Sequence, residues 1–220
     1  MPSRNVYKTL IKDGYYHVYN RGVEKRTVFL VEKDYMVFLN NLKIYLTKPD
    51  EPSLQGTTLK TLPRQRKNYN TGVELIAYCL MPNHFHILIK QIDDNSLKNF
   101  MKSLTVKYSM YFNKKYDRVG QLFQGRYKAV LITNDSYLLH LSRYIHLNPS
   151  EYTNNLVDAY SSYGDYLGLR KTKWIKPDIV LNFFNKQVTP EFKKINNYKD
   201  FVEKYKKDPT ELLGRLTLEE

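Results

Sequence analysis

Cysteine and tryptophan are almost missing from this 220-residue chain, which has one of each. A single Cys79 permits neither a disulfide framework nor a cysteine-built zinc site, so any metal would be held by His, carboxylate or amide groups. Long apolar runs are missing too. Nothing approaches the roughly 18 consecutive apolar residues of a membrane span, and the opening "MPSRNVYKTL" has no apolar signal core. The expectation is a cytoplasmic protein that works without a membrane. Acidic residues are scarce relative to basic ones, 22 against 35, which gives a formal charge of +13. Such a surplus points to a polyanionic partner, with nucleic acid foremost. What the chain does have is tyrosine, 20 residues of it. Most of these are expected at core edges, but aromatic faces among cations also suit stacked single-stranded bases.

Hydrophobic periodicity divides the chain. "YYHVYNRG", residues 15–22, reads as a strand closed by a glycine turn. Residues 32–46 place Tyr35, Phe38, Leu39, Leu42 and Tyr45 at helical spacing. Residues 47–71 have prolines, a basic string and no period, which predicts a long mobile loop. The apolar run "VELIAYCLM", the turn residues Pro82 and Asn83, and "HFHILIK" predict a hairpin over 73–91. The stripe Leu97, Phe100, Met101, Leu104, Tyr108, Tyr111 and Phe112 predicts a helix that Asn95 or Ser96 can cap. Residues 121–132 read as a further strand, and "NDSYLLHLSRYIHLNP" as a helix stopped by Pro149. The order β-α-β-β-α-β-α predicts an α+β fold: a small antiparallel sheet with helices on one face, of the ferredoxin-like kind. Residues 1–149 form the expected core. Residues 150–220, made of short helical pieces between Gly, Pro and basic loops, form an expected C-terminal helical extension with a fraying "GRLTLEE" end.

Within "CLMPNHFHILIK" the chemistry becomes specific. Strand side chains alternate, so His84 and His86 share one face and Phe85 takes the other. Two histidines two apart can simply line a polar sheet face, yet imidazole is also the commonest metal ligand. With the helices on one side, the other face would be open, and the last helix can bring a third ligand to it. Tyr144 and Asn148 lie one turn apart on that helix. Pro149 holds Asn148 at its end. A His-His-amide set with open positions suits a hard divalent ion, Mg²⁺ or Mn²⁺, that also grips a phosphate oxygen.

Four motifs in this order, "YHVYNRG", "MPNHFHILI", "GQLFQGRYKA" and "SRYIHLNP", resemble the single-tyrosine HUH transposases, and in particular their REP-associated tyrosine transposase branch. The resemblance spans roughly residues 7–170. It implies an HUH endonuclease core in which His84, His86 and Asn148 hold the metal and Tyr144 is the nucleophile. It also implies cutting and rejoining of single-stranded DNA at hairpin-bearing sites through a 5′-phosphotyrosine, by a monomer or a homodimer. Spacing alone does not single out Tyr144, and Tyr108 and Tyr111 follow it on a stripe that faces the core. Arg126 and Lys128, two apart on the predicted strand, can hold phosphates, as can Arg21 at the end of the first strand. His17 and His146 are expected to be packing or surface histidines.

Two other readings use the same residues. A replication initiator or relaxase shares the His pair and tyrosine, but the helicase usually appended has no room here. A non-enzymatic stacking module explains the charge and leaves the His pair without a purpose.

Overall fold

The computed structural model describes residues 9–48, 67–185 and 197–204. Most of the expected mobile loop, residues 49–66, and the expected fraying end lie outside them. Four strands, β1 (Tyr15–Arg21), β2 (Val73–Met81), β3 (His84–Gln91) and β4 (Lys128–Ile132), form one antiparallel sheet in the order β2-β3-β1-β4. With α1 (Glu32–Leu46) after β1 and α2 (Ser96–Lys115) after β3, this is the expected α+β, split βαβ arrangement.

Alternation along each strand sorts the side chains into two layers. Tyr16 and Val18 of β1, Phe85, Ile87 and Ile89 of β3, and Tyr78 and Leu80 of β2 join Phe38 and Leu42 of α1 in one core. Phe100, Met101, Leu104 and Tyr108 of α2 complete it. Both helices form because a wide apolar stripe recurs at their 3.6-residue period and can be buried in a single layer. Asn95 stands at the N-terminal boundary of α2, but in the left-handed region at φ 64° and with no capping bond from its side chain. The two helices are tied together by Asp34, which is fully buried. Its carboxylate accepts from Lys115 Nζ (2.6 Å), the Tyr116 hydroxyl (2.7 Å), the Tyr111 hydroxyl (2.9 Å) and the Leu30 backbone N–H (2.9 Å).

The opposite face is not open. A third helix, α3 (Asp135–Leu147), is capped by the Asn134 side chain accepting from Tyr137 N–H, and it crosses that face against β2 and β3. Helices α4 (Tyr163–Tyr166), α5 (Asp178–Asn185) and α6 (Tyr198–Lys204) pack around it, so Ile76, Cys79 and Leu88 from the sheet share a second core with Leu139, Ile145, Tyr166, Val180 and Phe201. The expectation of helices on one face therefore holds for α1 and α2 and fails for α3 to α6. The reason is chemical: β2 is apolar on both faces, with Ile76, Ala77, Cys79 and Met81 on the α3 side beside Leu88 of β3, so that side must be covered too. Residues 160–176 also run along the outer edge of β2. Leu80 N–H donates to Tyr160 O (2.9 Å), Ser162 N–H to Tyr78 O (3.0 Å), and Lys176 N–H to Leu75 O (2.8 Å).

The strand expected over 121–132 is shorter. Only Lys128–Ile132 pairs with β1, while residues 121–127 make a single bridge, Gly22 to Phe123. Gly125 at φ +71° turns the chain out of the sheet there. Leu122 and Phe123 are buried in the α1–α2 core from outside the ladder, Phe123 against Phe85 and Tyr108, which is why an apolar run looked like a strand. No helix among the described residues is long and apolar enough to cross a membrane.

Candidate active site on the second sheet face

The register of the central strands assembles the site. In the β1–β3 pairing Arg21 lies opposite His84, Tyr19 opposite His86 and His17 opposite Leu88, so His17, Tyr19, Arg21, His84 and His86 all project to the α3 face. Lys128 of β4 pairs with Tyr19, and its ammonium stands 5.8 Å from that ring's centre.

Each histidine of the pair is fixed through its Nδ1. Asn83 donates its amide N–H to Lys25 O (3.2 Å), which turns its amide oxygen toward His84 Nδ1 at 2.6 Å. That oxygen can only accept, so the His84 proton sits on Nδ1 and the neutral ring offers a lone pair at Nε2. His86 Nδ1 shares a 2.9 Å hydrogen bond with His17 Nε2. In the tautomer that gives the His86 proton to that bond, His86 also offers Nε2, and this atom is fully buried with no hydrogen-bond partner. A buried orphan of this kind costs about 1–3 kcal/mol unless something meets it. The two rings stand edge to face with centres 4.9 Å apart.

Burial holds both rings neutral. It pushes His84 down to about 4, with the Arg21 charge adding to the effect. His86 is driven well below the usual histidine value by burial and then by its neighbours His84, His17 and Arg21. Neutral imidazoles are the form that binds metals. This has a consequence for stability. The unfolded chain takes up protons at these residues from about pH 6.5, the ordinary histidine value, whereas the folded chain does not. Their contribution is therefore complete above about pH 6.5 and declines as pH falls toward about 4, the His84 value. Urea midpoints measured from pH 7 to 4.5 should fall steadily, and His84→Ala should flatten that slope; a slope unchanged by the substitution would show that His84 is not buried neutral.

α3 brings Tyr144 over the pair. Its ring is 5 % exposed and meets His86 edge-on at 5.3 Å and His17 at 6.2 Å, centre to centre. One turn later the Asn148 side-chain N–H donates to Tyr144 O at 2.8 Å, a bond that does not use the amide oxygen. The other two tyrosines are committed elsewhere. Tyr108 is fully buried on the α1–α2 side with its hydroxyl donating to Val28 O, and Tyr111 donates to Asp34.

The remaining expected residues divide. Arg21 belongs to the site: its Nε is buried without a hydrogen-bond partner, and its charge depresses both histidines. Lys128 faces the site at the edge of the sheet. Arg126 does not share a strand face with it, because β4 begins only at Lys128. Arg126 instead lines a groove of about 940 Å³ with Asn20, Lys98 and Lys102, on the α2 side. His17 and His146 are both wholly buried and hydrogen-bonded, so neither is a surface histidine. His17 is the residue that sequence reasoning underrated. The alternation of His17, Tyr19 and Arg21 on a strand was the signal available. No cluster of three or more His, Cys, Asp or Glu residues able to hold a metal occurs among the described residues. The two imidazoles of His84 and His86, whose ring centres are 4.9 Å apart, are the donors that the sheet itself brings together.

Comparisons with known proteins bear on the family and the fold. Residues 51–148, a stretch containing His84, His86, Tyr144 and Asn148, match the family described as IS200-like transposases. Among solved structures the fold is similar to that of a REP-associated tyrosine transposase bound to a REP hairpin, with a TM-score of 0.51 and 16 % identity over 80 % of this chain and 92 % of that one. A protein from Deinococcus radiodurans R1, provisionally described as a transposase, aligns at a TM-score of 0.38 with 15 % identity, over 66 % of this chain and 95 % of that one. No curated protein matches the sequence.

Proposed function

We propose that this chain, whose residues 51–148 match the IS200-like transposase family, is such a transposase and cuts and rejoins single-stranded DNA with Tyr144 as the nucleophile. The observation that carries this reading is the pairing of Tyr144 with His86: a phenol ring 5.3 Å from an imidazole whose Nε2 is buried and unpartnered. His84, His86 and the Asn148 amide oxygen would hold a divalent ion, Mg²⁺ or Mn²⁺. Bound there, the ion would neutralise charge on the scissile phosphate and make it more electrophilic.

The chain's own residues account for the rest. Tyr144 sits on a rigid helix and is held by packing, so its hydroxyl is presented with little freedom to lose. Its oxygen attacks phosphorus and gives up its proton. The bond from phosphorus to the 3′ oxygen breaks, and that oxygen leaves as a 3′ hydroxyl after protonation. The 5′ phosphate stays on Tyr144 as a phosphodiester. Because the bond energy is kept in this adduct, a second 3′ hydroxyl can reverse the step and join strands without ATP. Arg21, beside His84, and Lys128, over Tyr19, would grip phosphates flanking the cut. Hairpin-bearing strands are the proposed substrate, in keeping with the hairpin bound by the structural relative.

The test is to incubate the protein with end-labelled single-stranded hairpin DNA. A labelled protein band that survives denaturing gels with Mn²⁺ and disappears with EDTA is expected. DNA that is bound but never linked, on every hairpin tried, would favour a stacking module instead. His84→Ala should abolish the band and also the heat of Mn²⁺ binding in a titration without DNA, while hairpin binding persists. Affinity should fall by about tenfold or more between roughly 50 and 200 mM salt, as counterion release by a chain of charge +13 requires. A flat salt response would argue against nucleic acid as the partner.

A further inference from the structure

Helix α3 carries two stripes. Tyr144 turns toward the histidines, and Ser142, Arg143 and His146 turn toward the extension. On this second stripe the contacts are polar and saturated. His146 is wholly buried and uses both ring nitrogens, Nδ1 with the Tyr198 hydroxyl and Nε2 with Ser162 Oγ, each at 2.7 Å. The Tyr198 hydroxyl also donates to Ser142 Oγ at 3.0 Å. Arg143 Nε donates to the carbonyls of Phe201 (2.8 Å) and Val202 (3.3 Å). These lie in the last turn of α6, where carbonyls have no partner within their own helix. Ser162 is anchored in turn to β2, accepting from Tyr78 N–H at 2.9 Å. A continuous chain of hydrogen bonds therefore runs from the sheet through Ser162 and His146 to α6 and back to α3.

An apolar contact would hold α3 against the sheet but allow it to slide or rotate. A buried network with every polar atom satisfied accepts one register, since any slip strands donors and acceptors away from water. We infer that this polar clamp sets the rotation and depth of α3 over the sheet, making Ser142, Arg143, His146 and Tyr198 positioning residues for Tyr144. The inference rests on the reading of Tyr144 as the nucleophile. It assigns the extension a part in the chemistry: α6 is the backstop that keeps the attacking hydroxyl in line.

Tyr198→Phe is the informative change, since it removes one hydroxyl, keeps the ring and cuts two links of the network. The single-turnover rate of adduct formation at saturating hairpin DNA should drop by about tenfold or more, the scale of a sub-ångström misplacement, with the Kd for DNA unchanged. Tyr69→Phe serves as the control. It deletes a hydroxyl bonded to Ser103 Oγ at 2.6 Å on the α1–α2 side and should keep the wild-type rate. Should Tyr198→Phe fail to fold, Ser142→Ala cuts one link more gently and is read the same way. A second readout needs no activity. In protein labelled with 3-fluorotyrosine, the ¹⁹F resonance of Tyr144, assigned by its loss in Tyr144→Phe, should shift or broaden in Tyr198→Phe and Ser142→Ala but not in Tyr69→Phe. An unmoved resonance, an unchanged rate, or a loss that Tyr69→Phe reproduces would overturn the clamp. If the resonance moves but wild type forms no adduct, the clamp stands and the transposase reading falls.

Discussion

Tyr144→Phe is expected to reduce the covalent protein–DNA species below detection, a loss of at least about 10³-fold, as when a nucleophile is deleted, with little change in DNA affinity. The Phe ring keeps the edge-on contacts with His86 and His17, and Asn148 hydrogen-bonds the backbone carbonyl of residue 144 rather than its side chain, so the helix end is undisturbed. Only the phenolic oxygen is gone. Binding, measured by the shift of labelled hairpin DNA in native gels, should match wild type, and the band on denaturing gels should be absent. If the band persists, another residue is the nucleophile. Tyr108 and Tyr111 are poor substitutes, because both hydroxyls are hydrogen-bonded on the far side of the sheet.

The second large effect is on folding. Asp34→Ala should cost about 3–5 kcal/mol, the range for removing one partner from a buried ion pair, and lower Tm by roughly 10 °C or more for a protein of this size. The carboxylate serves five donors at once, Lys115, Tyr111, Tyr116 and the N–H groups of Leu30 and Val31. Alanine strands the donors of two helices together. Burial by itself would raise the Asp34 pKa, but the bonds from Lys115, Tyr116, Tyr111 and Val31 outweigh it and hold the group below the usual aspartate value. With the folded value depressed, the stabilisation is present above the unfolded pKa of about 3.9 and is lost as pH falls through the folded one. Thermal melts should show the deficit of the variant shrinking below about pH 4, a window separate from that of the histidines. A loss under about 1 kcal/mol would show that Asp34 merely decorates the surface between α1 and α2.

The parts of the fold legible in the sequence were those with a local period. α1 was readable to its ends, since Phe38, Leu42 and Tyr45 recur on one face, and so was the β2–β3 hairpin, where two apolar runs flank Pro82 and Asn83. Long-range pairing was not readable. His17 orients His86 across 69 positions of sequence, and only the β1–β3 register, which no local pattern specifies, brings them together. Leu122 and Phe123 misled for a related reason, because a connecting segment that packs into the core and a strand buried in a ladder leave the same apolar signature. On α3, Ser142, Arg143 and His146 look like a polar face meant for water. Their partners come from α6 and Ser162, so their burial could not be inferred from α3 alone.

The run of residues 160–176 along β2 also bears on what the protein avoids. An uncovered outer strand offers its N–H and C=O groups to any other extended chain, and an apolar one such as "VELIAYCLM" would be a seed for aggregation. Here the carbonyls of Leu75, Ile76 and Tyr78 and the N–H groups of Tyr78 and Leu80 are already taken by that run, by backbone and side chain alike. A foreign strand finds no ladder to join at this edge. A chain truncated after Pro149 would lose that protection, and even if its two sheet faces stayed folded it should precipitate as its concentration rises, long before any question of catalysis arose.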